Sequence, residues 1–301
     1  MSFVVKPSTL AKGLKALFME AFGNGELPAD IAPFIVETDS DSSSEDYGWL
    51  GQAPSLSEWV DERKIKALNN FKYSIPNKSY EGTIGVNRDA IKDDRMGAVK
   101  VRINDLAAKA RVHSKKLFIE LLKNGTTDLC YDGLPFFSAS HVEGKSGTQT
   151  NLYPGTGTSL AQIQADVEGA VAQMKALKDD VGEPFDESEV VLGVVIPLGL
   201  EAAFNKLNTL EMINNTTNSM KGKIRSIVTS ARLTDVNDYY IMNIGPGVKP
   251  IVKQNRQPPE FQSLEGDSDA GFMRKTWHYG IDYRVGWGYG LWQKAVKVTN
   301  T

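Results

Sequence analysis

The residues best suited to catalysis or metal binding are few and scattered in this chain. His113, His141 and His278 fall in a predicted helix, a loop and a strand, and none has the spacing of a histidine metal site. Cys130 is the only cysteine, so no intrachain disulfide or cysteine-based metal cluster can form. A small buried side chain is the favoured interpretation of this cysteine over an intermolecular bridge. Because a glycine-bracketed serine elbow is also missing from the sequence, we predict no catalytic residue, no metal and no cofactor.

Two short patterns resemble ligand-binding loops but lack a required glycine. In residues 37–46, ETDSDSSSED, the side chains alternate as in a calcium loop, but Ser44 stands where that loop needs its glycine turn. The run GKS at residues 144–146 resembles part of a phosphate loop, but Ala139 stands where that motif needs a glycine. We therefore predict a solvated acidic loop at the first pattern and a flexible excursion at the second.

A small basic cluster, Lys221, Lys223 and Arg225, lies at the end of a polar, asparagine-rich segment, residues 208–223. Such a cluster is either a specific anion site or the surface of a solvated loop. Because the segment has the composition of a long exposed loop, we favour the second interpretation.

The longest predicted element spans residues 94–125. Apolar side chains recur there in steps of three, four and seven, which places them, together with His113, on one face of a helix. They are Val99, Ile103, Leu106, Ala110, Leu117 and Leu121. The other face is charged and carries Lys100, Arg102, Lys109, Arg111, Lys115 and Glu120. Gly125 predicts a left-handed cap at the end. A continuous helix of this length would extend ~45 Å, which requires a long apolar surface such as an extended sheet.

Two segments before this helix carry apolar side chains that need a partner surface. Residues 8–22 predict an amphipathic helix, and we assign Leu14 and Phe18 on its apolar face to an interface with a neighbouring subunit. Residues 47–80 contain aromatic side chains spread among many charges, which is typical of an interface, with a small satellite core as the alternative. The aromatic residues that we assign to the interface are Trp49, Trp59, Phe71, Tyr73 and Tyr80.

The remaining elements predict a mixture of strands and helices in two lobes. Residues 81–91 predict a strand that leads into the long helix, and the alternation from Trp277 to Val285 predicts a long strand in the sheet that supports it. A helix is predicted at residues 159–177. A second, smaller lobe is predicted from a short buried strand, a helix that Pro197 opens, and two further strands. The elements of this lobe lie at residues 189–196, 197–207, 227–230 and 239–244.

Length and composition bound the function. A chain of 301 residues predicts one large domain or two smaller ones. The net charge of −3 argues against a general nucleic-acid-binding protein, although such a chain can still enclose nucleic acid. The N-terminus has no signal-peptide pattern, and the most apolar window, residues 190–204, is too short and interrupted to span a bilayer. We therefore expect a soluble protein that is intracellular when it is made.

Several linked motifs resemble one family. Residues 73–94, YSIPNKSYEGTIGVNRDAIKDD, resemble the signature of the Mu-like phage major head subunit family. Other matching motifs follow the same order along the chain: YGWLG at residues 47–51, ELLKNG at 120–125, CYDG at 130–133, FF at 136–137, and His141. The match is concentrated between residues 47 and 141, and beyond residue 151 it rests on the layout of the segments.

The resemblance implies a major capsid protein with the α+β Hong Kong 97-like fold. It implies an N-terminal arm at residues 1–46 and an extended loop at 47–80 that lies over a neighbouring subunit. It further implies a peripheral domain at 81–182 that contains the long spine helix, an axial domain at 183–259, and a return to the peripheral domain at 260–301. The loop at residues 208–223 would then lie near a local symmetry axis, and we assign Lys221, Lys223 and Arg225 at its end to the assembly interface as well.

The resemblance also implies the partners. The chain would assemble with copies of itself into hexamers and pentamers of a noncovalent icosahedral shell, found in the virion and built in the host cytoplasm. Separate scaffold and portal proteins, and decoration proteins in some relatives, would act with it. The shell would enclose double-stranded DNA without sequence-specific binding, and a net negative subunit would discourage the genome from adhering to its wall. The alternatives are a phage-derived or cellular nanocompartment with the same fold and, least favoured, a soluble enzyme.

Overall fold

The structure is a computed structural model, and it describes residues 7–23, 27–47, 73–87, 89, 96–185, 190–264 and 275–300. Two β-sheets, one of four strands and one of five, form the framework of two lobes, and helices cover both sheets. No helix in these ranges is both long enough and apolar enough to cross a membrane.

The structure shows that the long helix, whose continuity the sequence leaves open, is continuous. It is α2, Met96–Asn124, and at 29 residues it extends ~44 Å. Its side chains at Val99, Ile103 and Ala107 are buried against α1, Pro7–Phe22, and against the four-stranded sheet. The predicted left-handed cap at Gly125 is wrong, because the φ angle of that residue is not positive. A Cβ atom there would lie 2.6 Å from the Phe137 ring, so close packing explains the glycine.

The first lobe is built on a sheet of four strands in the order β1-β11-β12-β4. These strands are β1, Ile35–Asp39; β4, Lys78–Asn87; β11, Ile251–Leu264; and β12, Thr276–Tyr289. Strand β1 runs parallel to β11, and the other neighbours are antiparallel. Strand β12 confirms the long strand that alternation predicts. One face of the sheet packs against α1 and α2 through Phe261, Trp277, Tyr279 and Ile281.

A short ribbon lies where the sequence predicts only a solvated acidic loop. Strand β2, Ser44–Asp46, pairs with β3, Ser74–Pro76, so the end of the acidic run is extended and hydrogen-bonded. The preceding turn is closed by the Glu45 carboxylate, which accepts hydrogen bonds from the Ser40 hydroxyl at 2.9 Å and the Asp41 amide at 3.0 Å. The Glu45 carboxylate therefore stabilises the turn of its own segment through these hydrogen bonds.

The second lobe is built on a sheet of five strands in the order β5-β13-β10-β6-β9. The strands are β5, Leu152–Pro154; β6, Leu192–Pro197; β9, Ile224–Ser230; β10, Tyr239–Asn243; and β13, Ala295–Thr299. Helices α3, Leu160–Ala176, and α4, Glu201–Thr209, pack on it. Strand β13 and α3 therefore belong to this lobe, whereas the predicted boundaries place residues 81–182 and 260–301 with the first lobe. Strand β11 likewise begins the first-lobe sheet at Ile251, within the segment predicted as axial.

The segment predicted as a long exposed loop, residues 208–223, contains a small hairpin. Strand β7, Met212–Ile213, pairs with β8, Thr216–Thr217. Asn214 and Asn215 connect them with positive φ angles of 50° and 61°, a conformation that asparagine tolerates better than most residues. Asn218 is buried behind the hairpin, where its side-chain amide donates hydrogen bonds to the carbonyls of Leu207 and Leu210. The loop is therefore tied to the end of α4.

Candidate functional site

The loop between α2 and β5 brings together residues that the sequence leaves apart. The Asp132 carboxylate accepts a hydrogen bond from His141 Nδ1 at 2.6 Å and one from the Cys130 thiol at 3.1 Å. The side chains of His141 and Asp132 are 0% and 3% exposed, and the Cys130 residue is 3% exposed. Burial alone would raise the pKa of Asp132, but the hydrogen bonds from His141 and Cys130 outweigh it and hold this pKa below its ordinary value.

A thiol, a carboxylate and an imidazole are donors that zinc accepts, but their geometry here fits hydrogen bonding. Two nitrogen or oxygen ligands of a tetrahedral zinc ion lie about 3.3 Å apart, given bonds of about 2.0 Å. The 2.6 Å between His141 and Asp132 is shorter and is typical of a charge-assisted hydrogen bond. Burial and the neighbouring Asp132 also raise the pKa of Cys130, which keeps the thiol protonated and makes it a poor nucleophile. The trio therefore has a structural role.

A second buried carboxylate extends this network to the C-terminal segment. Glu143 accepts hydrogen bonds from the Tyr131 hydroxyl, from Trp292 Nε1 at 2.9 Å and from Gln293 Nε2 at 2.9 Å. Burial raises the pKa of Glu143, and these three hydrogen bonds only partly offset the effect. Because residues 292–294 connect β12 of the first lobe to β13 of the second, the network fixes the connection between the lobes.

Sequence reasoning missed this network because its members are separated by about 150 residues and follow no local period. A weak signal was available in the apolar run from Leu291 to Val298, which is interrupted by Gln293 and Lys294. Both residues are buried, and a buried polar side chain requires hydrogen-bond partners elsewhere in the fold.

The base of the predicted extended loop is firmly anchored. The Tyr47 amide donates to the Tyr73 carbonyl at 2.7 Å, so the chain leaves and re-enters the described structure at adjacent points. The Tyr73 hydroxyl accepts a hydrogen bond from the Tyr289 amide at 2.7 Å, and Ile75 is 1% exposed beneath β12. Glycine at position 288 makes room for Ile75, because a Cβ atom there would lie 2.6 Å from Ile75 Cγ1.

The predicted interface aromatics fall into two groups. Trp49, Trp59 and Phe71 lie outside the described residues, so their predicted role in assembly stays a prediction. Tyr73 and Tyr80 are partly buried within this chain. The Tyr80 ring makes an edge contact with His113 of α2, with centroids 4.7 Å apart, and lies beside Tyr283. Tyr73 and Tyr80 therefore pack within the first lobe. This agrees with the alternative interpretation of these aromatic residues as a small satellite core.

The apolar face of the first helix, which the sequence assigns to an interface with a neighbouring subunit, packs within this chain instead. Leu14 and Phe18 are 2% and 0% exposed, because they pack against α2 and the first-lobe sheet of the same chain. Phe18 stacks on Phe22, with centroids 5.6 Å apart, and makes a tilted ring contact with Phe261, with centroids 5.5 Å apart. An amphipathic helix signals an apolar partner surface but not which chain supplies it, and here the chain supplies its own.

The basic cluster does not converge on a ligand. Lys221 pairs with Glu211 at 2.8 Å, and both side chains are largely exposed. Lys223 and Arg225 are exposed and make no ion pair with any residue in the described ranges. This arrangement fits the solvated surface that the composition predicts.

Comparison with known proteins gives a consistent result. The model of the family described as Mu-like prophage major head subunit gpT matches residues 8–164 and 228–301. The chain is 28% identical over 298 residues to the major capsid protein of Escherichia phage Mu, covering 98% of this chain and 75% of that protein. It is 25% identical to the Mu-like prophage FluMu major head subunit of Haemophilus influenzae (strain ATCC 51907 / DSM 11121 / KW20 / Rd), covering 95% and 72% of the two chains.

Solved structures show the same fold. The procapsid of bacteriophage JBD30 aligns with a TM-score of 0.60 at 24% identity, over 99% of this chain and 77% of that one. A virus-like particle from Pyrococcus furiosus aligns with a TM-score of 0.53 at 12% identity, over 96% and 98%. At these identities the likeness establishes the fold alone. The predicted α+β, Hong Kong 97-like capsid fold is confirmed.

Proposed function

The chain belongs to the family of Mu-like prophage major head subunits gpT, and we propose that its copies form hexamers and pentamers that close into an icosahedral head around double-stranded DNA. It is a major capsid protein, and this follows from one observation above all. The family match, residues 8–164 and 228–301, includes the whole first-lobe sheet and strands β5, β10 and β13 of the second, so it covers much of the framework of the subunit and not a single motif.

The role of the extended loop is supported by the structure at its base. Residues 48–72 connect Tyr47 and Tyr73, whose backbones are hydrogen-bonded to each other. A segment that leaves and returns at one anchored point can contact a neighbouring subunit without disturbing its own sheet. We propose that residues 48–72, the part of the predicted 47–80 segment between these two anchors, act as this loop, with Trp49, Trp59 and Phe71 supplying apolar contact area on the neighbour.

The role of the second lobe is supported by its exposed apolar side chains. Leu210 and Met212 are 40% and 58% exposed beside the β7–β8 hairpin, and Leu198 is 57% exposed before α4. Contacts between copies would bury such side chains at the centre of a capsomer. We propose that this lobe is the axial domain and that the hairpin lies near the local symmetry axis.

The partners and the compartment belong to the same proposal. Copies of this chain are its main partner, and scaffold and portal proteins act with it during assembly in the host cytoplasm. The finished shell is part of the virion. A phage-derived nanocompartment with the same fold is the second candidate, because the virus-like particle of Pyrococcus furiosus shares the fold over 96% of this chain. DNA content distinguishes the two candidates.

Assembly is the test of this proposal. Negative-stain microscopy and sedimentation of the purified chain, alone and co-expressed with a scaffold protein, should show closed shells, tubes or hexamer sheets. Deletion of residues 57–72 should abolish these particles while the subunit stays folded by circular dichroism. A variant with Val236→Ala, an exposed side chain 62% accessible, serves as the control and should assemble normally. A chain that stays monomeric at high concentration in both settings would contradict the proposal.

A further inference from the structure

A row of carboxylates crosses the outer face of the four-stranded sheet, the face turned away from α1 and α2. The register places Glu260 of β11 opposite Asp282 of β12, and Asp282 opposite Glu81 of β4. Directly opposed residues in neighbouring strands point to the same face, so the three carboxylates lie side by side within about 10 Å. We refer to these three residues as the acidic row.

The side chains around the acidic row do not neutralise it. Asp282 accepts a hydrogen bond from Gln257 Nε2 at 3.2 Å, and Glu81 accepts one from the Thr83 hydroxyl at 3.2 Å, so both donors are uncharged. Arg284 follows two residues after Asp282 on β12, yet no cation in the described ranges forms an ion pair with the row. Opposed like charges destabilise a strand pair, so the row lowers the stability of the isolated subunit.

The same face forms a trough beside the acidic row. Gly280 is its floor, and the register places Gln262 and Thr83 on either side of this glycine. A Cβ atom at position 280 would lie 3.0 Å from the Thr83 hydroxyl oxygen, so a side chain there would close the trough. The space has a volume of about 540 Å³. Leu264, which is 51% exposed, lies at the end away from the acidic row.

The dimensions of the trough fit an extended chain. The flanking strands, β11 and β4, are two strand spacings apart, or about 10 Å, whereas a helix with its side chains is about 10–12 Å wide. Leu264 is four residues from Glu260 along β11, a distance of about 13 Å. An extended chain that follows β12 would therefore bring a side chain to the acidic row and another, four residues away, to Leu264.

We propose that this trough binds an extended segment of a separate protein, with a lysine or arginine at the acidic row and an apolar side chain four residues away against Leu264. Three unpaired carboxylates attract a cation, and its arrival removes the repulsion between them. The exposed leucine supplies apolar contact area and fixes the register of the segment. The contact goes beyond the proposed function, because a single subunit contains the whole trough.

The cations of this chain fit the trough less well. Three exposed cations of α2 form no ion pair in the described part of the chain, but they are held on a helix, which is too wide. They are Lys100, Arg102 and Arg111. Residues 57–72 carry four basic and three acidic side chains, and Asp61 and Glu62 directly precede Arg63. The acidic row would repel this pair, so a separate partner is favoured over residues 57–72.

Binding of a defined peptide tests the proposal. The probe is a fluorescent nonapeptide of serine and threonine with arginine at its third position and leucine at its seventh. Its affinity for unassembled subunits is measured by fluorescence anisotropy at low salt. The subunits are the unmodified chain, the variant E81Q/E260Q/D282N, and a control that loses the same charge at exposed positions elsewhere, E20Q/E183Q/E201Q.

We expect the peptide to bind the unmodified chain and the control, and neutralisation of the acidic row to weaken binding about tenfold or more. An equal loss in both variants would show long-range attraction without a site, and no binding to any subunit would overturn the proposal directly. Binding that appears only after deletion of residues 57–72 would show that this segment of the chain occupies the trough, which would overturn a separate partner.

The apolar contact is tested by a double-mutant cycle. Replacement of the peptide leucine by serine should weaken binding to the unmodified chain about fivefold and should have little effect on binding to Leu264→Ser. Equal effects on the two proteins would overturn the proposed register. All these measurements use unassembled subunits, so a failure to form shells would contradict the proposed function and leave this inference standing.

The stability of the subunit gives an independent test. E81Q/E260Q/D282N keeps an acceptor oxygen at each position but removes the repulsion, so it should unfold at a higher urea concentration than the unmodified chain at low salt. The difference should narrow at high salt, because salt screens exposed charges. A lower urea midpoint for this variant would show that the carboxylates serve the fold itself, which would overturn the assignment of the row to a partner.

Discussion

The imidazole of His141 lies flat on the indole of Trp292, with ring centroids 3.9 Å apart and planes inclined by 5°. The same imidazole donates to Asp132, and the same indole donates to Glu143. Two aromatic rings, one from the middle of the chain and one from its C-terminal segment, thus connect two buried carboxylates.

Replacement of His141 should destabilise the subunit strongly. His141→Ala removes the ring stacked on Trp292 and leaves the Asp132 carboxylate without its charge-assisted donor. Loss of one partner from a buried pair costs about 3 kcal/mol or more in unfolding free energy. Urea unfolding of the unassembled subunit measures this difference. His278→Ala, at a partly exposed position on the outer sheet face, is the control and should change stability by about 0.5 kcal/mol or less. Equal effects of the two variants would contradict the role of the stacked pair.

Replacement of Phe18 should destabilise a single subunit even before assembly. Phe18→Ala creates a cavity between α1, α2 and β11, which costs about 3–5 kcal/mol if the helix packs on its own chain. Thermal unfolding of the unassembled subunit is the measurement, and Val101→Ala on the exposed side of α2 is the control. If Phe18→Ala leaves the subunit stable but prevents assembly, the helix instead packs on a neighbouring copy.

A methyl group at position 288 should disturb the base of the extended loop. The Cβ atom of Gly288→Ala would approach Ile75 and lie 2.9 Å from the Tyr73 hydroxyl, so β3 must move away from β12. Overpacking of this kind costs about 1–3 kcal/mol and displaces the point from which residues 48–72 extend. We expect a folded subunit with a reduced particle yield by sedimentation. Gly199→Ala, where a Cβ atom meets nothing within 4 Å, should assemble as the unmodified chain does.

The buried Glu143 should give the subunit a characteristic pH dependence. Its pKa is raised in the folded chain, so between the ordinary value of 4.5 and the raised value the folded chain holds a proton that the unfolded chain has lost. The contribution of this group to stability therefore falls as the pH rises through that window. Glu143→Gln cannot ionise, and its unfolding free energy should fall less than that of the unmodified chain over the same interval.

Other carboxyl groups act in the opposite direction, so the comparison must be a difference between proteins. The pKa values of Asp132 and Glu37 are lowered by their hydrogen-bond partners, so their stabilisation is present above the ordinary pKa and is lost on acidification. Both groups are present in the two proteins and cancel when the curves are subtracted. Urea unfolding at a series of pH values gives the curves. A flat difference between the two proteins would show that Glu143 keeps an ordinary pKa.

The sequence predicts the elements whose side chains repeat regularly and misses the contacts between distant segments. The long helix is predicted by apolar side chains at a period of 3.6 between Val99 and Leu121, and β12 by a period of 2 between Trp277 and Val285. Gly125 shows the limit of local rules, because the ring of Phe137 and not the backbone angle requires a glycine there. The junction of His141 with Trp292 and the division of the chain into lobes depend on tertiary pairing, which has no local period.

The position of β13 has a consequence for biosynthesis. This strand fills the place between β10 and β5 in the second sheet, yet residues 295–299 leave the ribosome after every other strand described here. A nascent chain can complete the first-lobe sheet earlier, but its second lobe lacks an interior strand until those residues emerge. Folding of the second lobe is therefore coupled to nearly complete translation. The surfaces of the second lobe therefore form only late in synthesis. Neighbouring nascent chains on one messenger RNA are close enough to associate prematurely, and they do not yet present these surfaces to each other.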